Sequence, residues 1–292
     1  MKKIFKKTGS VLFCLLPFLL VFTLQFAISV SAYIIQSVLL IARHPEFLSD
    51  FDRYQSVFYQ SITGDFTILV SIIYAVTAAL IMGFWYWKKF APKKSPRRSI
   101  RQIINLKMFL ALLALMIGLQ YLSTYIVSLT AFIHPAWYET YEQIMINVGF
   151  TEVSFLLIFY TVIIAPISEE LIFRGVTMHY ARKIMPFWVA NIFQALLFGI
   201  FHQNMIQGTY AFAIGLFCGY VCRRGGSIYL SILFHMLFNL WGVFTPGNLY
   251  YNGSLAIIHL LLFLLTIGIT TLGFYLYHAG VKSRDTAETV MQ

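Results

Sequence analysis

Charge is what this sequence has least of. Only 11% of its 292 residues are charged, against 59% apolar, and the acidic side chains number 11. A soluble domain carries about a quarter charged residues, so a water-solvated globular fold of any size is excluded and lipid is the expected solvent. Cysteine is scarce as well. Cys14, Cys218 and Cys222 all lie in apolar stretches, which argues against a disulfide framework. Cys218 and Cys222 stand four apart and could offer two ligands on one helix face; small buried hydrophobes is the reading adopted. Several hydrolase signatures are missing too. There is no H-E-x-x-H, no G-x-S-x-G and no pair of aspartates within the apolar runs, which removes helix-borne zincins, nucleophile-elbow serine hydrolases and an aspartyl dyad.

What is present is a series of eight apolar runs, at about 11–42, 63–87, 107–132, 151–173, 186–202, 206–222, 227–245 and 254–280. Crossing a bilayer takes about 20 residues, so the expected fold is all-α and polytopic, with eight transmembrane helices. The start, MKKIFKK, resembles that of a signal peptide, but the apolar stretch runs on to Ala42 and is expected to be a retained anchor. Basic residues fall on alternate connections. Lys2, Lys3, Lys6 and Lys7 precede the first run, and Lys88, Lys89, Lys93, Lys94, Arg97, Arg98, Arg101 and Lys107 follow the second. Arg182 and Lys183, Arg223 and Arg224, and Lys282 and Arg284 complete that side. All but three of the 21 lysines and arginines are then cytoplasmic, the exceptions being Arg43, Arg53 and Arg174. By the positive-inside rule both termini are expected in the cytoplasm.

This distribution turns the net charge of +10 away from nucleic acid and toward a membrane surface. The basic loop 88–107 is expected to lie along an anionic inner leaflet, with FWYW at 84–87 and Trp137 as interfacial anchors. Gly215 and Gly219 form a small-x-x-x-small face for close helix packing. Three parts follow: three N-terminal helices with the basic loop (1–150), a helix core (151–245), and a last helix with its tail (246–292).

The polar groups inside the apolar runs carry the chemistry. APISEELIFRGV, 165–176, ends the fourth run with Glu169, Glu170 and Arg174, and such groups are tolerated in lipid only when paired, wetted or functional. Residues four apart share a helix face, whereas neighbours diverge by about 100°. Glu170 and Arg174 are therefore expected to pair, leaving Glu169 to face something else. Pro166 is expected to kink or restart the helix, so that the carboxylates sit in a first turn among freed amides. LFGIFHQN places His202 one turn after Phe198, and ILFHMLFNLW stacks His235 and Asn239 on one face. Glutamate, two imidazoles and an amide can activate water and receive an oxyanion, with or without a metal. The same groups could instead fasten helices together or relay protons in a coupled transporter.

E-E-L-I-F-R (169–174), F-G-I-F-H (198–202) and H-M-L-F-N (235–239), in that order, resemble the E-E-x-x-x-R, F-x-x-x-H and H-x-x-x-N signatures of the CPBP family. These are the CAAX prenyl-protease-like and bacteriocin-processing membrane proteins. The resemblance covers about 150–245. It implies an intramembrane endopeptidase in which Glu169 activates water beside His202, His235 and Asn239 are the oxyanion-side or ligand pair, and Glu170 with Arg174 supports them. It leaves a divalent metal such as zinc open, with His202 and His235 as candidate ligands. The implied substrates are membrane-associated peptides or proteins, prenylated C-terminal peptides in eukaryotic members and leaders or pheromone precursors in bacterial ones; a bacterial plasma membrane is expected. A non-catalytic immunity or peptide-binding partner of the same fold is the alternative. At 1.5 Å per residue, His202 lies about 24 Å along its span and His235 only about 12 Å along its own. A shared site therefore leads to the expectation that the 174–186 hairpin protrudes into the cytoplasm, with a water-filled cavity opening there.

Overall fold

In the computed structural model, residues 2–91, 99–150, 152–245, 253 and 255–290 are described, and among them there is no strand. Residues 92–98 of the expected basic loop lie outside that set. Among the described residues ten helices of more than one turn organise the chain: α1 (Lys2–Arg43), α2 (Phe51–Ser61), α3 (Asp65–Lys89), α4 (Leu106–Ile133) and α5 (Pro135–Val148) come first. They are followed by α6 (Phe155–Ala181), α7 (Phe187–Phe201), α8 (Met205–Gly225), α9 (Ile228–Phe244) and α10 (Ala256–Val290). Six of them are long and apolar enough to cross a membrane: α1, α3, α4, α6, α8 and α10. α7 and α9 are apolar but shorter, at 15 and 17 residues.

Successive apolar helices run in opposite directions, with α1 antiparallel to α3 and α4 antiparallel to α10, so the bundle has two unlike ends. At one end Arg284 donates to the carbonyls of Ile103 (2.9 Å) and Gly225 (2.8 Å), close to Arg223 and Arg224. The other end carries α2 and α5, two helices between apolar runs that hydropathy alone had not distinguished from loops. Asp50 caps α2 by accepting from the Arg53 amide, and Gly149, at φ 94°, ends α5 in the left-handed conformation that suits glycine. The Gly64 amide donates to the Asn147 carbonyl at 2.9 Å, tying α5 to the start of α3.

Two apolar cores fill the bundle, and the polar residues lie between them. In one, Leu112, Leu115 and Leu119 of α4 pack with Val221 of α8, Phe234 of α9 and Tyr277 of α10. In the other, Tyr74, Ala78 and Met82 of α3 meet Ile172, Phe173 and Val176 of α6 and Phe198 and Phe201 of α7. The small face on α8 packs closely, as expected: a Cβ on Gly215 would come 3.0 Å from the Cβ of Ala195.

α6 departs from the sequence expectation. It does not restart at Pro166. Its turns alternate between α and π, with π-helix over Phe159–Ile164 and Leu171–Thr177 and ordinary α-turns elsewhere. The wider turn before Pro166 absorbs the proline without a break, so Glu169 and Glu170 stand in mid-helix and have no freed amides beside them. The helix also runs on to Ala181, which is buried against Cys14 and Ala190. Residues 175–178 are buried too, while Lys183, Ile184 and Pro186 in the turn to α7 are exposed, so only the tip of the expected 174–186 hairpin stands clear of the bundle.

The tightest crossing brings α7 onto α8 next to His202. A Cβ on Gly199 would fall 2.6 Å from the Gly208 carbonyl oxygen. Gly199→Ala is expected to cost about 1–3 kcal/mol through overpacking and to lower the thermal midpoint in detergent. Gly268→Ala, where nothing lies within 4 Å, should leave it unchanged.

Candidate active site

The six residues singled out in the sequence fall into a supporting group and a group bordering one cavity. Glu170 and Arg174 are fully buried, one helical turn apart on α6, and Arg174 Nη1 donates to Glu170 Oε1 at 2.8 Å. Arg174 Nη2 donates to the Gly215 carbonyl of α8 at 3.0 Å, and the guanidinium lies 4.7 Å from the Phe198 ring of α7. A single side chain therefore ties three helices through a charge that lipid would not solvate. Its partner carboxylate does a second thing. Glu170 Oε1 is 3.0 Å from His235 Nδ1, and an ionised carboxylate can only accept, so Nδ1 carries the proton and the ring is held in place.

That orientation turns His235 Nε2 toward Glu169, whose Oε2 lies 3.6 Å away. Neighbouring residues on a helix diverge, so Glu169 points away from Arg174 while Glu170 points toward it. His202, just past the end of α7, is fixed similarly. Its Nδ1 donates to the Phe198 carbonyl at 2.8 Å, leaving Nε2 with its lone pair available. The Phe198 ring stands edge-on to both imidazoles, with centroids 4.8 Å from His202 and 5.7 Å from His235. Sequence reasoning used Phe198 only as a spacer for His202; its place as the wedge between two histidines and a guanidinium comes from the folded bundle.

Asn239 has a partner that the motif did not reveal. Its Nδ2 donates to the Thr161 carbonyl at 2.8 Å. In the π-turn Ala165 donates back to Tyr160 rather than to Thr161, and the next residue, Pro166, has no N–H. Neither register can satisfy Thr161, so the side chain from α9 does, as an unpaired carbonyl in lipid is costly. One amide hydrogen of Asn239 is thereby used and the other is free. The only hint in the sequence was a proline five residues after Thr161.

Glu169, His202, His235 and Asn239 all border a cavity of about 900 Å³, while Glu170 and Arg174 stand behind its wall. The cavity does not open where it was expected. Its lining comes from the halves of α3, α4, α6, α8 and α9 nearer α5, and from α5 itself. No residue of 88–107 or 174–186 contributes. His202 and His235 thus meet one cavity without any contribution from the 174–186 hairpin, because its lining reaches from mid-bundle toward the α5 end.

Two sets of donors bear on a metal. Among the described residues Glu170, Cys218 and His235 place one ligand atom each within 4.8 Å of one another, and His202 is not among them. In that set Glu170 already holds Arg174 and His235 Nδ1 is already donating. Facing the cavity, a carboxylate on Glu169 and the Nε2 atoms of His202 and His235 are the donor types a divalent ion such as zinc takes. Arg174→Met leaves Glu170 buried without its counter-charge, an unbalanced state worth about 3–5 kcal/mol. The variant is expected to unfold at lower temperature in detergent, and adding Glu170→Gln should recover part of the loss.

Comparison with known proteins supports the same segment. Residues 151–241 match the model of the Rce1-like family, described as type II CAAX prenyl endopeptidase Rce1-like. The chain is also similar to an uncharacterized 24.3 kDa protein of Escherichia coli, 32% identical over 79 residues. That similarity covers 25% of this chain and 36% of the relative, so about a third of the relative's length is spanned. No solved structure matches. The matched segment holds all six candidate residues and runs from the start of α6 almost to the end of α9. Residues 151–241 are thus similar to the Rce1-like, or CAAX protease, family over about a third of the chain, within a multi-pass helical membrane protein.

Proposed function

We propose that this protein is an intramembrane endopeptidase that hydrolyses a peptide bond of a membrane-associated peptide or protein with water activated by Glu169. The observation that carries the reading is the approach of Glu169 to His235 at 3.6 Å on the wall of a cavity that His202 and Asn239 also border. In this reading all eight apolar helices cross the membrane, with both termini cytoplasmic. The shorter α7 and α9, about 22 and 26 Å long at 1.5 Å per residue, are the ones that bring His202 and His235 to the cavity. A bacterial plasma membrane is the proposed location, in keeping with the Escherichia coli relative.

The chemistry follows from which atoms remain free. Glu169 is the general base: it takes a proton from water as the oxygen attacks the scissile carbonyl carbon. His202, with Nδ1 committed to Phe198, accepts from the same water through Nε2 and holds it in line. The second N–H of Asn239 meets the developing oxyanion, on an amide already oriented by Thr161. His235, aligned by Glu170, lies against Glu169 and steadies the proton that is then passed to the leaving amine. Arg174 keeps Glu170 ionised so that this alignment lasts. If a divalent ion is used, His202 and His235 are its candidate ligands, although His202 lies outside the one compact donor group among the described residues, and it would polarise the carbonyl and acidify water.

Reconstituted protein with a panel of membrane peptides tests the reading. Glu169→Gln keeps the side-chain volume but removes the base, and cleavage is expected to fall about 10²–10⁴-fold with the thermal midpoint unchanged. Undiminished cleavage by this variant would refute the assignment. Binding of a peptide with no cleavage by either protein would favour the immunity or peptide-binding reading. Loss of cleavage on chelation, restored by added zinc, is the outcome a required metal predicts.

A further inference from the structure

The end at which the cavity lies says what kind of substrate can reach it. Basic residues gather at one end of the bundle: Lys88 and Lys89 close α3, Arg182 and Lys183 follow α6, Arg223 and Arg224 close α8, and Arg284 lies near the end of α10. The opposite end has Arg43 and Arg53. Such an imbalance keeps the basic end in the cytoplasm. The cavity is bordered by the other halves of the helices and by α5, so it faces away from the cytoplasm.

Its wall is also unusual in what it omits. Among the described residues no lysine or arginine borders it, and Glu169 is its one carboxylate. Besides the imidazoles of His202 and His235, the remaining polar groups are neutral amides and hydroxyls, among them Gln25, Gln120, Gln203, Gln207, Tyr138 and Tyr141. Gln120 adds a specific observation: its Oε1 is buried and has no hydrogen-bond partner among the described residues, which leaves an acceptor for an incoming N–H. A volume of about 900 Å³ is at the large end of ligand sites, about 300–1,000 Å³. Side-chain amides offer both donors and acceptors and so suit a peptide backbone. A terminal carboxylate or acidic side chain would meet Glu169 with no lysine or arginine on the wall to offset the repulsion or the lost hydration.

We infer that the cavity receives an uncharged internal segment of a polypeptide from the extracytoplasmic side of the membrane, and that it does not hold a free C-terminal carboxylate. This rests on the protease reading for the consequence, cleavage, but the binding and its direction are measured separately. The buried positions of Cys14, Cys218 and Cys222 make single introduced cysteines informative. Gln207→Cys places a thiol on the cavity wall and Arg223→Cys places one at the basic end.

In intact cells a membrane-impermeant maleimide is expected to label Gln207→Cys at once and Arg223→Cys only after permeabilisation. Labelling of Gln207→Cys only after permeabilisation would overturn the direction. In proteoliposomes with Gln207→Cys, the probes are a short C-amidated peptide of Ala, Leu and Ser and its counterpart with Glu residues and a free carboxylate. Raised to about ten times its half-protection concentration, the amidated peptide should slow labelling about tenfold, while the acidic one leaves the rate unchanged. Equal protection by both, protection by the acidic peptide alone, or none by either would overturn the substrate class. Failure of the protease reading would show elsewhere, as the absence of Glu169-dependent cleavage despite this protection.

Discussion

The buried ion pair between Arg174 and Glu170 is the constraint on which the rest of this structure depends. An arginine in the middle of an apolar bundle is tolerable only with its charge matched and its donors used. Matching it fixes α6 against α7 and α8, through the Phe198 ring and the Gly215 carbonyl. The carboxylate that balances the guanidinium also sets the tautomer of His235. Because adjacent residues on a helix point apart, the demand that Glu170 face the arginine is also what sends Glu169 into the cavity. A structural requirement and a chemical one are thus met by two neighbouring glutamates with different neighbours.

Departures from ideal α geometry lie on both sides of those glutamates. The π-turn ahead of Pro166 lets α6 pass the proline and leaves the Thr161 carbonyl without a main-chain donor. Asn239 fills that position from α9. The tie brings the two helices that carry Glu169 and His235 together at a second point, one turn away from the histidine. Irregular backbone in a membrane survives where it is covered by protein, and here the group that covers it also borders the cavity. An amide held in this way has its remaining hydrogen directed before any substrate arrives, which is the preorganisation that oxyanion stabilisation needs.

Much of the architecture was legible before any coordinates. Lipid cannot satisfy polar backbone, so apolar runs of sufficient length had to be helices, and all eight runs are. Helical periodicity was enough to pair Glu170 with Arg174 and to separate Glu169 from both. The amphipathic helices α2 and α5 were not legible as helices: their mixed composition is also that of a loop, and what orders them is contact with the bundle end. The path of α6 was misread because proline usually breaks a helix, and the turn that accommodates Pro166 depends on a side chain 73 positions later in the chain.

Residue type and spacing alone pointed to a helical membrane protein, to the residues proposed to carry its chemistry, and to how the two glutamates divide. Those follow from local rules: the cost of polar groups in hydrocarbon and the 3.6-residue turn. Tertiary structure decided where the cavity lies, what lines it and which atoms remain free. Packing sets these, because it chooses among helix depths and tilts that a one-dimensional pattern leaves equal. It was packing that placed the cavity at the α5 end, and the Asn239 tie that holds two of its walls together acts between residues 78 positions apart in the chain.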